Sequence, residues 1–264
     1  MKRSKKKSLK KAPVFLLVAA AVLLLASTVG STQAALTYYS DNYSAQVTVS
    51  NIGVTLLENG SEISRRNYIG GDKLWDTTTG NLLTNMLSEG EKLVLGKDYT
   101  EKLTVKNSGA IDSYVRVILT KSWQYDPDES DEKEEYVKDT ELTPAYIELN
   151  VPEGNGWIKD EAASTVEREV YYYTRVLPAD NDKEDGSNVT PALTNTFRIN
   201  PAVAKELIQT TKDKIITYEY KYDGYQCVVE AEVDTVQTHN AADAIKSAWG
   251  IDVAVAADGS ISLK

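Results

Sequence analysis

The stretch YTEKLTVKNSGAIDSYVRVIL, Tyr99 to Leu119, decides the reading of the fold. Tyr99, Leu103 and Val105 precede Asn107-Ser108-Gly109, and Val115, Val117 and Leu119 follow it. Apolar residues at every second position fit a strand with one buried face, because successive side chains point to opposite sides. Asn, Ser and Gly between two such runs are a turn signal, so the stretch predicts two antiparallel strands meeting across residues 107–109. Outward from it the same period recurs. Ala45, Val47 and Val49 alternate with Gln46, Thr48 and Ser50. Later runs cover Val170 to Val176, Ile215 to Tyr222, and Gln226 to Val236, where Cys227, Val229, Ala231 and Val233 share a face. Ile251, Val253 and Val255, then Asp258-Gly259, then Ile261 and Leu263 read as a hairpin. Sixteen Tyr against two Phe suit sheets whose outer faces meet solvent or a neighbour.

Helical signals are few. Pro201 suits the first turn of a helix over Ala202 to Gln209. Asn240 reads as an N-cap for Ala241 to Trp249, with Gly250 at the C′ position. Leu82 to Leu87 is a third, weaker segment. Strands divided by turns, with helices only as connectors, predict an all-β chain: an antiparallel β-sandwich of jelly-roll type. A β domain of this length can be one unit, so residues 35–264 are read as a single domain.

The chain has 264 residues, 29 of them Lys or Arg and 39 Asp or Glu. Seven of the basic residues lie in the first eleven positions; without them the balance is 22 against 39, or −17. Nucleic-acid binding is therefore excluded as an expectation, since phosphate contacts need clustered Lys and Arg. One His (His239) and one Cys (Cys227) cannot form an intrachain disulfide, a Cys/His zinc site or a two-histidine metal centre. No cofactor is expected. Two acidic loops, Asp126 to Glu135 and Asp180 to Asp185, offer oxygen ligands in principle. Neither fits the EF-hand template, because Asp131 and Asp185 stand where its Gly belongs. They read as solvated loops.

The N-terminus reads as an address. Basic residues lead into Val14 to Ala26, thirteen residues without a polar side chain. As a helix that run spans roughly 20 Å, short of a ~30 Å hydrocarbon core. Thr32 and Ala34 supply the small side chains that signal peptidase needs, so residues 1–34 are expected to be removed by a cut between Ala34 and Ala35. The cut would free an extended segment, 35–43, with Leu36 and Tyr38 on one strand face and Tyr39 and Tyr43 beyond them. Such a peptide can add to an open sheet edge. A lone thiol also fits export to an oxidising compartment.

Several stretches resemble the TasA/camelysin family of secreted Gram-positive proteins. GSTQAALTYYSDNYSAQ (Gly30 to Gln46) is similar to the export region of precursors cut by a SipW-type signal peptidase. GEKLVLGKDYTEKLTVKNSGAIDSYVRV (Gly90 to Val117) resembles the family's Asn-x-Gly turn with its following Tyr-Val-Arg-Val strand. GWIKD (Gly156 to Asp160), YYYTRVL (Tyr171 to Leu177), Thr190-Pro191, and AEVDTVQ with AWG (Ala248 to Gly250) follow in the family's order. Leu95 departs from the Pro of many relatives, and the acidic insertion is long. The resemblance implies a jelly-roll protein, secreted to the cell surface or extracellular matrix, that assembles into biofilm matrix fibres. It also implies donor-strand exchange, each copy binding the next head-to-tail, with other matrix or cell-surface proteins as further partners.

Two other functions are weighed against this. A monomeric surface-binding module or adhesin would use the same exposed sheets. A camelysin-type peptidase would need a catalytic set, and H-E-x-x-H is absent from the sequence. His239 precedes a helix and reads as a surface residue, while Cys227 reads as a small core hydrophobe. No catalytic residue is assigned and no enzyme is expected.

Overall fold

The computed structural model describes residues 52–69, 75–83, 86–87, 91–127, 136–180, 186–212 and 215–264. They belong to one compact unit, Ser50–Lys264. Its strands in chain order are β1 (Gly53–Glu58), β2 (Ser61–Tyr68), β3 (Trp75–Thr78), β4 (Tyr99–Thr100), β5 (Leu103–Asn107) and β6 (Ser113–Tyr125). There follow β7 (Val137–Asp139), β8 (Ile147–Asn150), β9 (Trp157–Lys159), β10 (Arg168–Tyr173) and β11 (Thr196–Ile199). The last are β12 (Leu207–Lys212), β13 (Ile215–Tyr220), β14 (Gln226–Gln237), β15 (Val253–Val255) and β16 (Ile261–Leu263). Among the described residues one α-helix, α1 (Ala241–Trp249), lies between β14 and β15. The fold is all-β and every named pairing is antiparallel.

Two sheets enclose the core. One has the order β3-β2-β1-β5; the other runs β14-β6-β10-β9, with β7 beside the far end of β6. Leu56, Leu103 and Val105 from the first meet Val115, Val117, Leu119, Tyr171 and Tyr173 from the second. Strand β6 explains the layering, because both its faces are buried. Val115, Val117 and Leu119 fill this core, while Tyr114 and Ile118 point the other way. There α1 and the β15–β16 hairpin cover them with Ile245, Trp249, Val253 and Ile261. Arg116 spans that outer face, bonded to Asp234 at 2.5 Å and stacked 5.6 Å from the Trp249 ring. A third sheet, β4-β11-β8, closes one end around Phe197, Ile199, Trp123 and Val229.

The turn at residues 107–109 is a corner and not a hairpin. Its flanking strands share a core but no ladder: β5 pairs with β1, and β6 with β10 and β14. Asn107, 1% exposed, holds the corner. Its amide donates to Ile111 O (2.9 Å), Leu177 O (3.1 Å) and Ser113 Oγ (3.2 Å), and its Oδ1 accepts from Gly109 N (2.9 Å). Gly53 lets the corner approach β1, since a Cβ there would lie 2.8 Å from Gly109 N. The outer edge of β5 is closed by the 188–194 segment, through Asn107 N to Asn188 O, Thr190 N to Val105 O and Leu193 N to Leu103 O.

Other expectations divide. The β14 face and the C-terminal hairpin form as read, with Val253 opposite Leu263 and Val255 opposite Ile261. The helix over 241–249 also forms, ended by Gly250 at φ 76°. Its N-cap differs: Asn240 is left-handed, at φ 50°, and its side chain makes no capping bond. After Pro201 only a 3-10 turn forms, Pro201–Lys205, because the apolar and β-branched residues of Leu207–Lys212 pair as a strand with β13. No helix forms at residues 82–83 and 86–87, where Leu83 takes φ 65°. The strand expected over 170–176 runs from Arg168 to Tyr173. Many tyrosines are not on outer faces; Tyr99, Tyr114, Tyr171, Tyr172, Tyr173 and Tyr222 are core residues. Buried hydroxyls find partners, as Tyr114 does on Gly259 O at 2.8 Å. The Ala45–Val49 run lies outside the described residues.

Candidate assembly interface

An unpaired sheet edge offers a row of backbone donors and acceptors to another chain. Three of the edges in the two main sheets are short or closed: β3 and β9 have four and three residues, and β5 is covered. Strand β14 differs. Its twelve residues pair with β6 on one side, and no described strand pairs with the other. Glu230, Glu232 and Asp234 alternate along it, and such charges guard an edge against indiscriminate pairing.

A groove of about 560 Å³ follows this strand from Gln226 to Ala231. Its opposite wall comes from Leu56 and Ile63 of the facing sheet and from residues 79–83. At Gln226 and Cys227 it meets a second cleft, of about 620 Å³, lined by Leu93, Leu95, Val203, Tyr220 and Tyr225. Both hollows thus border the same end of β14. At about 3.3 Å per residue, a nine-residue peptide extends ~30 Å, within the reach of a strand of this length.

A buried carboxyl pair holds one wall. Glu58 and Glu101 are 3% and 1% exposed. Glu58 Oε1 accepts from Leu83 N at 2.6 Å, which fixes the left-handed Leu83 in the groove wall. Neither oxygen of Glu101 has a hydrogen-bond partner. Burial first, and the adjoining Glu58 second, push the Glu101 carboxyl up to about 8. At neutral pH it therefore keeps its proton, which spares the fold a buried carboxylate without a partner.

Cys227 is half-buried against the Trp123 cluster and borders both hollows, so it is a wall residue as well as a packing one. Burial pushes its thiol up, which makes it a poor nucleophile. His239 is exposed at the entry to α1, as a surface residue. Among the described residues no group of three His, Cys, Asp or Glu side chains could hold a metal ion, and no helix is long and apolar enough to cross a membrane. Ala34, Ala35, Leu36, Tyr38, Tyr39 and Tyr43 lie outside the described residues, as do the centres of both acidic loops. The groove has no sequence signal of its own, because its two main walls, residues 56–83 and 226–231, lie more than 140 residues apart. Comparison of the chain with family models, with curated proteins and with solved structures gave no match.

Proposed function

We propose that this chain is a secreted structural protein that assembles into extracellular matrix fibres by donor-strand exchange. In this reading, signal peptidase cuts between Ala34 and Ala35, and the freed segment 35–43 of one copy enters the groove of the next. The observation that carries it is the open edge of β14 beside a groove of mixed lining, in which Leu56, Ile63, Leu82 and Leu83 stand among polar residues such as Ser64, Thr79 and Asn81. Backbone bonds to β14 would supply affinity, and alternate side chains such as Leu36 and Tyr38 would face Leu56, Ile63 and Leu82 in the opposite wall. Donor and acceptor are different surfaces, so the contact is head-to-tail and propagates. The jelly-roll form of the sandwich and the cell-surface location belong to the same proposal, supported by the resemblance of the export region and the ordered motifs.

Removing residues 35–43 from the chain that begins at Ala35 is expected to abolish filaments in electron micrographs and to leave the circular dichroism spectrum of a folded β protein. Filaments that survive the deletion would overturn the mechanism.

A further inference from the structure

The β12–β13 hairpin is unlike the rest of the molecule. All twelve of its paired residues are exposed. Six of the fourteen large hydrophobic residues exposed among the described residues sit on it: Leu207, Ile208, Ile215, Ile216, Tyr218 and Tyr220. Single exposed hydrophobics are ordinary, but a cluster of this kind marks a contact surface.

Register sorts the hairpin into two faces. Leu207 lies opposite Tyr220, Gln209 opposite Tyr218, and Thr211 opposite Ile216, so these six share one face and none is charged. Lys212 and Glu219 fall on the other. The neighbourhood is electrically balanced as well. Between Lys205 and Asp223, four lysines match four carboxylates, on a chain whose balance beyond residue 11 is −17. Two copies of so acidic a protein repel over most of their surfaces, and least here.

We propose that the Leu207–Ile216–Tyr218–Tyr220 face is a self-association surface that takes the same face of a second copy of this chain. The patch is self-complementary, being apolar and uncharged, which permits a two-fold contact. The hairpin's footprint is about 20 Å by 10 Å, or ~200 Å², from strand rise and spacing. That is well below the ~800 Å² per partner of a stable complex, so one contact alone is weak. Repeated along a filament it becomes multivalent, and would hold filaments side by side. Tyr220 also lines the cleft that meets the β14 groove, so this surface adjoins the proposed acceptor site without occupying it. The side-by-side role rests on the filament reading; the pairwise contact does not.

The test is oxidative cross-linking of Tyr218→Cys in a Cys227→Ser background, with Val166→Cys, at a similarly exposed site, as the control. A two-fold contact brings the two introduced thiols together, so covalent dimer should form several-fold faster than in the control. Adding Ile216→Glu should abolish the difference. Equal rates at the two sites, or dimer formation insensitive to Ile216→Glu, would overturn the proposal. If the unaltered chain forms no filaments, the assembly reading fails while the cross-linking result still decides this one. If filaments do form, the Ile216→Glu/Tyr218→Glu chain should form them singly, and side-by-side association that persists would count against the surface.

Discussion

Replacing Asn107 by Ala should lower the unfolding free energy by about 2–4 kcal/mol, the cost of leaving several buried polar groups without partners. The side chain is a hub at the corner between the two main sheets. Without it, Ile111 O, Leu177 O and Ser113 Oγ lose a donor, and Gly109 N loses its acceptor. Asn107→Asp should be nearly as damaging, because it keeps the bond to Gly109 but sets a carboxylate against two carbonyl oxygens. Urea titration of the two variants beside the unaltered chain measures both effects. A loss below about 1 kcal/mol would mean that the corner is held by β-strand pairing and packing alone.

Glu101→Gln should raise stability at pH 7 by about 2 kcal/mol and flatten its dependence on pH. The sign follows from the raised carboxyl. In the unfolded chain Glu101 ionises near its ordinary value of 4.5, whereas in the folded chain it holds its proton up to about 8. Between those values the folded state binds more protons, so stability falls as pH rises and levels off above about 8. Gln cannot ionise, and like the protonated carboxyl it brings no charge into the buried site. Denaturation midpoints at pH values of about 5, 7 and 8.5, chosen to bracket that window, decide the matter; parallel pH profiles for the two proteins would contradict it. Because Glu58 pins Leu83, the alkaline limb should also loosen the groove wall.

Alternation is informative about faces and uninformative about partners. Val105 and Val117 are legible as core residues, and both are, but the Asn-Ser-Gly turn signal is common to hairpins and to corners between sheets. What makes it a corner is Asn107 reaching Leu177, seventy residues away. Pro201 correctly marks the start of a helical turn, yet Leu207 and Ile208 continue into a strand, because the residues from Ile215 offer it a ladder. A hairpin outside the expected set joins β1 to β2 through Asn59-Gly60. Their φ values of 52° and 86° are the backbone pattern that Asn-Gly favours in two-residue hairpins, so local chemistry alone accounts for this turn.

The candidate site is legible on one side only. The proposed donor, Leu36 to Tyr43 after the small residues Thr32 and Ala34, is one local run of residues and can be read as such. The surface it would bind depends on β14 ending its sheet and on residues 56–83 lying across from it. The Glu58–Glu101 pair is hidden for the same reason, since nothing near either residue in sequence shows that both are buried.

The most direct measurement places a photo-crosslinking phenylalanine analogue at Tyr38 in an equal mixture of isotopically light and heavy chains, with cross-linked peptides identified by mass spectrometry. Donor-strand exchange predicts light-to-heavy cross-links from position 38 to the groove residues, Gln226 to Ala231 or Thr79 to Leu83. Cross-links confined to one chain, or landing between chains away from that groove, would contradict it.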